Sequence, residues 1–394
     1  MPPDGPRGTS VAGMRTNPIL TQLGAYPIAA LQERARAMRA TGEPLLDFSI
    51  GDPREPTPAF VPEELRRSIP TVSQYPTTSG LPELRRSVAA YVQRRFGVDV
   101  DPDTQVLPTA GSKEAIFSTP LAFVDRAVGS AVVWATPGYP IYERGALLAG
   151  AEGFPVTLEG DFVLRPAQVP DAVWGRTAVV WANYPHNPTG AVIDRSGLED
   201  LYLRARSAGA WFCSDECYVD IYEGEPPPSI LQVAGPGSPG ALSYLSLSKR
   251  SGMTGYRAAA IVGDPAGISI LKDLRTSTGT ASPEFIQKAA ITAWDDDQHA
   301  AERRAIFAGK RAILRTAFED TGHEVVASQA GIYIWVRVGD DVAVAERLLT
   351  RGIVVSPGRA FGSGGEGFLR LALIPTLDET RQATEVLKAC LTEM

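Results

Sequence analysis

Short apolar runs that alternate with helical segments constrain the fold of this chain more than any other feature. Each run has five or six predominantly apolar residues, and a helical pattern over residues 196–208 separates two of them. Strands buried on both faces are typical of parallel sheets that helices cover on both sides. The pattern therefore predicts an α/β fold with a mostly parallel sheet sandwiched by helices. The predicted strands cover residues 131–135, 177–182, 210–214, 242–247 and 258–263.

The length of 394 residues exceeds what one compact core supports, so two domains are expected. Residues 301–321 are helical in period, while 331–337 and 352–374 resemble strands joined by loops, which predicts a smaller α+β domain. The predicted division is a disordered leader at 1–16, an N-terminal segment at 17–46 that joins the small domain, a large domain at 47–284 and a small domain at 285–394.

Charge and cysteine content exclude several classes of protein. A net charge of −7 and scattered basic residues argue against a nucleic-acid partner. No stretch of eighteen apolar residues is present, so no membrane span is predicted. Cys213, Cys217 and Cys390 lack the spacing of a disulfide framework, and no second Cys or His pair completes a zinc site. We expect reduced thiols in the core of a cytoplasmic protein without a bound metal.

The chemistry of the chain is indicated first by Lys249, which follows Ser246 by three residues and precedes Arg257 by eight. A lysine forms an imine with an aldehyde, and a hydroxyl and a guanidinium suit a phosphate. Pyridoxal phosphate is the common coenzyme that needs all three groups, because it is an aldehyde with a phosphate arm. The alternative is a solvated surface lysine beside two common residues.

Upstream, Asp215 ends an apolar run, Tyr218 follows three residues later, and Asn187 opens the turn Asn-Pro-Thr-Gly. A carboxylate beside a pyridine nitrogen keeps that nitrogen protonated, and a tyrosine or an asparagine can bond to a ring oxygen. The alternatives are an aspartate that caps a strand end and a turn rich in breakers.

Gly111-Ser112-Lys113 precedes a helix-forming run, and a helix that opens at Ser112 would direct free N–H groups at a phosphate. A nucleotide P-loop is excluded because the glycine five positions earlier is missing and Ser112 interrupts the Gly-Lys pair. Tyr139 could stack on a pyridine ring, or it is an aromatic turn residue in the core.

Arg370 is a single arginine within the apolar run Phe-Leu-Arg-Leu-Ala-Leu. A buried arginine is rare unless it is paired, and a substrate carboxylate is a natural partner that arginine binds through two parallel hydrogen bonds. The alternative is a strand whose arginine faces solvent.

These motifs occur in the order and rough spacing of the class I/II aminotransferases, and the chain resembles that family from about Asp47 to its C-terminus. The resemblance implies the fold type I architecture of pyridoxal-phosphate-dependent transferases. It also implies that Lys249, Asp215 and Tyr218 are catalytic. The implied coenzyme site contains Gly111, Ser112, Lys113, Tyr139, Asn187, Asp215, Tyr218, Ser246, Lys249 and Arg257. The implied substrate site contains Gly51, Asn187 and Arg370.

Tyr75 resembles the family's tyrosine that reaches the coenzyme phosphate of the neighbouring subunit, which implies a homodimer. Small-molecule amino and keto acids are then the remaining partners. The same resemblance implies transfer of an amino group between glutamate or 2-oxoglutarate and another amino or keto acid.

Segments around Tyr75, Ser214 and Ser246 also resemble the succinyldiaminopimelate transaminases of bacterial lysine synthesis. That resemblance predicts N-succinyl-LL-2,6-diaminopimelate as the substrate, with Arg54, Arg250 or Arg275 binding its distal carboxylate. Two segments, 184–186 and 279–281, depart from that group and are expected near the substrate. The alternatives are an aminotransferase of aspartate, aromatic or branched amino acids, and a pyridoxal-phosphate-dependent β-lyase.

Overall fold

The structure is a computed structural model that describes residues 17–23, 29–40, 42 and 44–392. The predicted leader at 1–16 lies outside the described residues. The α-helices are α1 (Pro18–Gln22), α2 (Ala29–Ala40), α3 (Phe60–Ser68), α4 (Pro82–Phe96), α5 (Ser112–Phe123), α6 (Ile141–Ala149), α7 (Asp171–Trp174), α8 (Arg195–Ser207), α9 (Ile230–Ala234), α10 (Leu247–Arg250), α11 (Pro265–Thr278), α12 (Glu284–Asp295), α13 (Gln298–Glu319), α14 (Asp341–Thr350) and α15 (Leu377–Thr392). The strands are β1 (Leu46–Asp47), β2 (Val106–Thr109), β3 (Ala131–Thr136), β4 (Glu152–Thr157), β5 (Thr177–Asn183), β6 (Trp211–Asp215), β7 (Ala241–Ser246), β8 (Ala259–Gly263), β9 (Tyr333–Arg337), β10 (Ile353–Val354), β11 (Ser356–Pro357) and β12 (Phe368–Ala372).

A seven-stranded sheet in the order β2-β8-β7-β6-β5-β3-β4 forms the centre of the larger part of the molecule. Strands β3 to β7 pair in parallel, and β8 runs antiparallel to both of its neighbours. All five predicted strands are therefore present, and the predicted mostly parallel α/β sheet is confirmed. Two strands of this sheet were not predicted: β2, which has four residues and contains Pro108, and β4, an edge strand with exposed side chains.

Helices cover both faces of this sheet, and alternate side chains of each strand enter separate cores. Val133 and Val180 belong to the core on one face, while Val132 and Trp181 belong to the core on the other. This period of two explains why the strands read as continuous apolar runs. Cys213 is a buried free thiol in the second core, as the sequence predicted.

The smaller layer contains the antiparallel sheet β11-β12-β9 and the two-stranded pair β1-β10. Its core includes residues of β9, β10 and β12 and of helices α13, α14 and α15. Strand β12 carries Arg370 in its centre, next to Trp335 of β9 in the cross-strand register. This arrangement places the arginine at the junction of the two layers.

The predicted domain boundary at residue 285 falls at the start of helix α12. This helix packs against α3 and α4, and Ala289, Ala293 and Trp294 lie in the core that the large sheet supports. The two-domain division stays a prediction, and this packing favours a boundary near the start of α13. No helix within the described ranges is long and apolar enough to cross a membrane.

Candidate active site

The carboxyl ends of three neighbouring parallel strands meet at one edge of the large sheet. Asn183 ends β5, Asp215 ends β6 and Ser246 ends β7. Ligands of open α/β sheets bind at this edge. A cavity of about 390 Å³ opens there between the two layers, and these predicted site residues line it: Gly51, Ser112, Lys113, Tyr139, Asn187, Asp215, Tyr218, Ser246, Lys249, Arg257 and Arg370.

Lys249 lies in the short helix α10, directly after β7, and its side chain is partly buried in the cavity wall. Its Nζ donates a hydrogen bond to the carbonyl of Gly51. Desolvation by burial lowers the pKa of Lys249 to about 8, and the positive charges of Arg257 and Arg370 act in the same direction. A lysine with this pKa is partly neutral near neutral pH and can attack an aldehyde.

Asp215 is buried, with 4% of its surface exposed. Its carboxylate accepts hydrogen bonds from Tyr142 Oη at 2.7 Å and from the backbone N–H of Cys217 at 3.2 Å. Burial raises the pKa of the carboxyl, and within the described residues no cation pairs with it. A buried carboxylate is costly without a cationic partner, so this site suits a positively charged ligand group such as a protonated pyridine nitrogen.

Arg370 is 4% exposed and lies between two aromatic rings, with its guanidinium carbon 4.4 Å from the centre of Tyr333 and 4.3 Å from that of Phe361. Nη1 donates to Asn187 Oδ1 at 3.0 Å, and Nη2 donates to the carbonyl of Ser49. Nε has no hydrogen-bond partner, and no acidic side chain of the described chain pairs with this arginine. A substrate carboxylate would supply the missing negative charge.

An anion cradle is present where α5 begins. Gly111 is the N-cap of this helix at φ +89°, and a Cβ there would lie 2.3 Å from Arg257 Nη2. Because β8 is antiparallel, Arg257, which precedes that strand, lies at the same sheet edge as Gly111, which follows β2. The free N–H groups of a helix start and a guanidinium together suit a phosphate.

Comparison with known proteins identifies the family. The model of the aminotransferase class I and II family matches residues 43–387 of this chain. The chain belongs to the class I and II aminotransferases. This family depends on pyridoxal phosphate, and the cavity fits that coenzyme. A lysine can react with its aldehyde, a buried carboxylate lacks a cation, and the α5 cradle can hold its phosphate.

Three relatives illustrate the similarity. An LL-diaminopimelate aminotransferase of Gloeobacter violaceus is 35% identical over 94% of this chain and 97% of its own. The crystal structure of an aminotransferase of Neisseria meningitidis is 34% identical, with a TM-score of 0.88 over 95% of this chain and 99% of that one. A probable N-succinyldiaminopimelate aminotransferase of Thermus thermophilus is 27% identical, with a TM-score of 0.85 over 92% of this chain and 100% of that one. These matches confirm the fold type I architecture.

Tyr75 is fully exposed on this aminotransferase and does not reach the cavity of its own chain. This position is compatible with a residue that serves a neighbouring subunit. The contact with a second chain, and the homodimer that it implies, stay predictions.

The expectation that Arg250 or Arg275 binds a distal carboxylate is wrong. Arg250 is 3% exposed and pairs with Asp220 at 2.9 Å and with Asp297 at 2.6 Å. Arg275 is 2% exposed and pairs with Glu114 at 2.8 Å. Both guanidinium groups already have carboxylate partners, because folding brings together residues that lie far apart in the sequence. Neither lines the cavity.

The third arginine and the two departing segments also lie off the cavity. Arg54 pairs with Glu379 at 3.2 Å on the surface of the smaller layer. Tyr184 accepts a hydrogen bond from the backbone N–H of Leu164 at 2.7 Å. His186 is enclosed, its Nδ1 lies 2.8 Å from Thr189 Oγ1, and burial lowers its pKa to about 3. Tyr184 and His186 support the fold around Asn187 and do not line the cavity.

Sequence reasoning missed several residues that line the cavity. Tyr333 and Phe361 flank Arg370, while Ser248, Cys217 and Gln32 contribute to the remaining wall. The signal for Tyr333 was a single hydroxyl within the apolar strand Tyr-Ile-Trp-Val, which is a weak one because a tyrosine is common in strands.

Proposed function

We propose that this aminotransferase transfers an amino group between glutamate or 2-oxoglutarate and an amino acid of the diaminopimelate type. Amino-group transfer is supported above all by Lys249, Asp215 and Arg370, which line one cavity and have the complementary roles that the chemistry needs. The substrate class is supported by the LL-diaminopimelate aminotransferase of Gloeobacter, which this chain matches over nearly its full length.

In the proposed mechanism Arg370 binds the α-carboxylate of the amino acid through its two Nη groups, and the rings of Tyr333 and Phe361 beside the guanidinium restrict its orientation. Lys249 then moves the α-proton, because its Nζ is partly neutral near its pKa of about 8. The coenzyme, when bound, supplies an aldehyde and a ring that accepts electrons from the substrate carbon.

The remaining residues hold the coenzyme in this proposal. Asp215 would pair with the protonated ring nitrogen, Asn187 and Tyr218 would bond to the ring oxygen, and Tyr139 would stack on the ring. The phosphate would be held by one chain and, in a homodimer, also by Tyr75 of the second; the residues of the first chain would be Gly111, Ser112, Lys113, Ser246 and Arg257. Gly51 supplies a backbone carbonyl beside Lys249.

Two forms of the diaminopimelate substrate are candidates. Free LL-diaminopimelate is favoured because the relative that carries this name shares 35% of its residues with the chain. The succinylated form, predicted from the sequence, is supported by the probable N-succinyldiaminopimelate aminotransferase at 27% identity. The succinyl group adds a third carboxylate to the two that diaminopimelate carries, and this carboxylate needs a cation of its own. The cationic side chains of the described residues that line the cavity are Lys113, Lys249, Arg257 and Arg370. All four already have a proposed role, three at the coenzyme or its phosphate and Arg370 at the α-carboxylate.

The test is a comparison of donors with 2-oxoglutarate as the acceptor and glutamate as the measured product. Free and succinylated LL-diaminopimelate, aspartate, an aromatic and a branched amino acid are each tested at several concentrations. We expect the largest kcat/KM with free LL-diaminopimelate. Faster turnover of the succinylated compound would select the second candidate, and faster turnover of the other donors would overturn the substrate class.

Two further measurements test the chemistry itself. Borohydride reduction of the coenzyme-bound protein should fix the label on Lys249, and a label on another lysine would contradict the assigned site. A β-lyase would release ammonia and would not form glutamate in proportion to the donor consumed.

A further inference from the structure

Tyr333 of β9 makes two contacts within the cavity and leaves no room for a side chain on Gly51. Its Oη lies 3.0 Å from Tyr218 Oη, and its ring centre lies 4.4 Å from the guanidinium carbon of Arg370. A Cβ on Gly51 would lie 2.4 Å from the same Oη. We propose that Tyr333 is a positioning residue whose ring orients Arg370 and whose hydroxyl donates to Tyr218. The inference rests on the proposed function, because it uses the roles of Tyr218 and Arg370 given there.

The ring contact bears on the substrate carboxylate. Arg370 is confined between the rings of Tyr333 and Phe361, and its two Nη groups are bonded to Asn187 and to the backbone of Ser49. A guanidinium binds a carboxylate through two parallel bonds only when its plane is fixed. The ring of Tyr333 fixes that plane from one side, and this effect does not depend on its hydroxyl.

The hydroxyl contact bears on the coenzyme. A phenol carries one hydrogen and accepts through its oxygen. If Tyr218 gives its hydrogen to the ring oxygen of the coenzyme, the bond between the two tyrosines must run from Tyr333 to Tyr218. A donor to Tyr218 makes that residue a stronger donor in turn, because neighbouring hydrogen bonds polarise one another. Tyr333 is 3% exposed, so water does not readily replace it.

Gly51 fits the same arrangement. It is not in the left-handed region, so its backbone tolerates a side chain. A methyl group at this position would overlap Tyr333 Oη at 2.4 Å and would displace it from Tyr218. Gly51→Ala is therefore a second way to disturb the hydroxyl without changing Tyr333 itself.

The two effects are separated by Tyr333→Phe and Tyr333→Leu in the coenzyme-bound enzyme. Tyr333→Phe keeps the ring and removes the hydroxyl. We expect an unchanged KM for the amino donor and a rise of about 0.1–0.6 unit in the pH at which the visible band of the bound coenzyme titrates. The pH rises because a ring oxygen with a weaker donor keeps more negative charge. That charge stabilises the proton on the nitrogen that joins Lys249 to the coenzyme, so this nitrogen loses its proton at higher pH.

Tyr333→Leu removes both contacts. We expect the same rise in the titration of the band and, in addition, a KM that increases by about 2- to 30-fold, the range of a cation–π contact. Gly51→Ala should move the titration like Tyr333→Phe. The other titratable side chains that line the cavity, unchanged in the Tyr333 variants, are Lys113, Tyr139, Asp215, Cys217, Tyr218, Lys249, Arg257 and Arg370.

Tyr202→Phe is the matched control, because Tyr202 is 2% exposed and its hydroxyl bonds to the carbonyl of Pro239 at 2.8 Å, away from the cavity. It should leave the titration and the KM unchanged. Melting temperatures of the coenzyme-free proteins and the Kd for pyridoxal phosphate are measured in parallel. A variant of Tyr333 that only loosened the fold would lower the melting temperature like the control and would leave the titration unchanged, which would overturn the inference.

Other outcomes are equally decisive. A Tyr333→Phe enzyme with the KM of Tyr333→Leu would refute the role of the ring, and a downward or absent shift in both variants would refute the direction of the hydrogen bond. These results leave the proposed function intact if the parent enzyme still forms glutamate. A parent protein that binds pyridoxal phosphate without a visible band would overturn the proposed function and this inference with it.

Discussion

A methyl group at Gly111 should weaken coenzyme binding through Arg257. The Cβ of Gly111→Ala would lie 2.3 Å from Arg257 Nη2, whereas Cβ atoms in proteins essentially never lie closer than 3.0 Å to another heavy atom. Arg257 is exposed, so its guanidinium can swing away at little cost. The phosphate then loses one hydrogen bond to a charged group, which contributes about 1.5–3 kcal/mol. The expected increase in Kd for pyridoxal phosphate is about 10- to 150-fold.

The same substitution also strains the backbone. Gly111 has φ +89° and ψ 156°, a region that glycine alone adopts readily, so the free energy of unfolding should fall by about 1–3 kcal/mol. Gly97 separates the two effects. It lies in the left-handed region at φ +69°, with nothing within 4 Å of the added Cβ. Gly97→Ala should cost about 1–2 kcal/mol of stability and leave the Kd unchanged.

The assay is coenzyme titration of the coenzyme-free variants, together with urea unfolding. A double-mutant cycle with Arg257→Ala tests the route of the effect. If Gly111→Ala acts through Arg257, the double variant should bind the coenzyme as weakly as Arg257→Ala alone. Fully additive losses, or a Kd of Gly111→Ala within twofold of the parent, would refute the reasoning.

Three further predictions follow from the buried charges. Arg370→Lys should lower kcat/KM for amino donors by about 10- to 150-fold, because the substrate carboxylate loses one hydrogen bond to a charged group, while the Kd for the coenzyme stays unchanged. An equal rise in the Kd for the coenzyme would contradict the assigned role. Arg250→Met should lower the free energy of unfolding by about 1–3 kcal/mol, because the buried carbonyl of Ala293 loses its donor and Asp220 keeps only Arg95 as a cationic partner. A rise in KM without this loss of stability would restore the rejected substrate role. Lys249 releases its proton near pH 8 in the folded protein and near 10.5 when unfolded, so the stability of the coenzyme-free protein should rise with pH across this window; Lys249→Met should flatten that rise in urea unfolding at several pH values.

The sequence predicted the large sheet well because its strands are buried on both faces and therefore read as apolar runs. It also predicted most of the cavity wall, since polar residues that follow such runs meet at one sheet edge. The pairing of Arg250 with Asp220 and Asp297 could not be predicted in this way. Ion pairs between distant parts of the chain depend on tertiary packing, and an isolated arginine beside Lys249 gives no sign of them.

Short or exposed elements were the other source of error. Strand β2 is brief and interrupted by Pro108, so its apolar character does not exceed that of a loop. The role of Tyr333 depends on contacts with Tyr218 and Arg370, which are distant in the sequence and meet this side chain only in the folded protein. The substrate depends on side chains at the far end of the cavity, where a family pattern carries less information than at the coenzyme.

The reversed direction of β8 has a consequence for how the chain tolerates changes in length. The link at residues 251–258 returns the backbone from α10 to the start of β8 and so fixes the separation of Lys249 and Arg257. One residue added to this link would shift Arg257 along the edge or force β8 out of register with β2 and β7. Loops at the opposite edge of the sheet carry no such constraint. We expect insertions to be tolerated at that edge. An insertion in this link should impair the site, because the length of the link sets the distance between the reactive amine and the anion cradle.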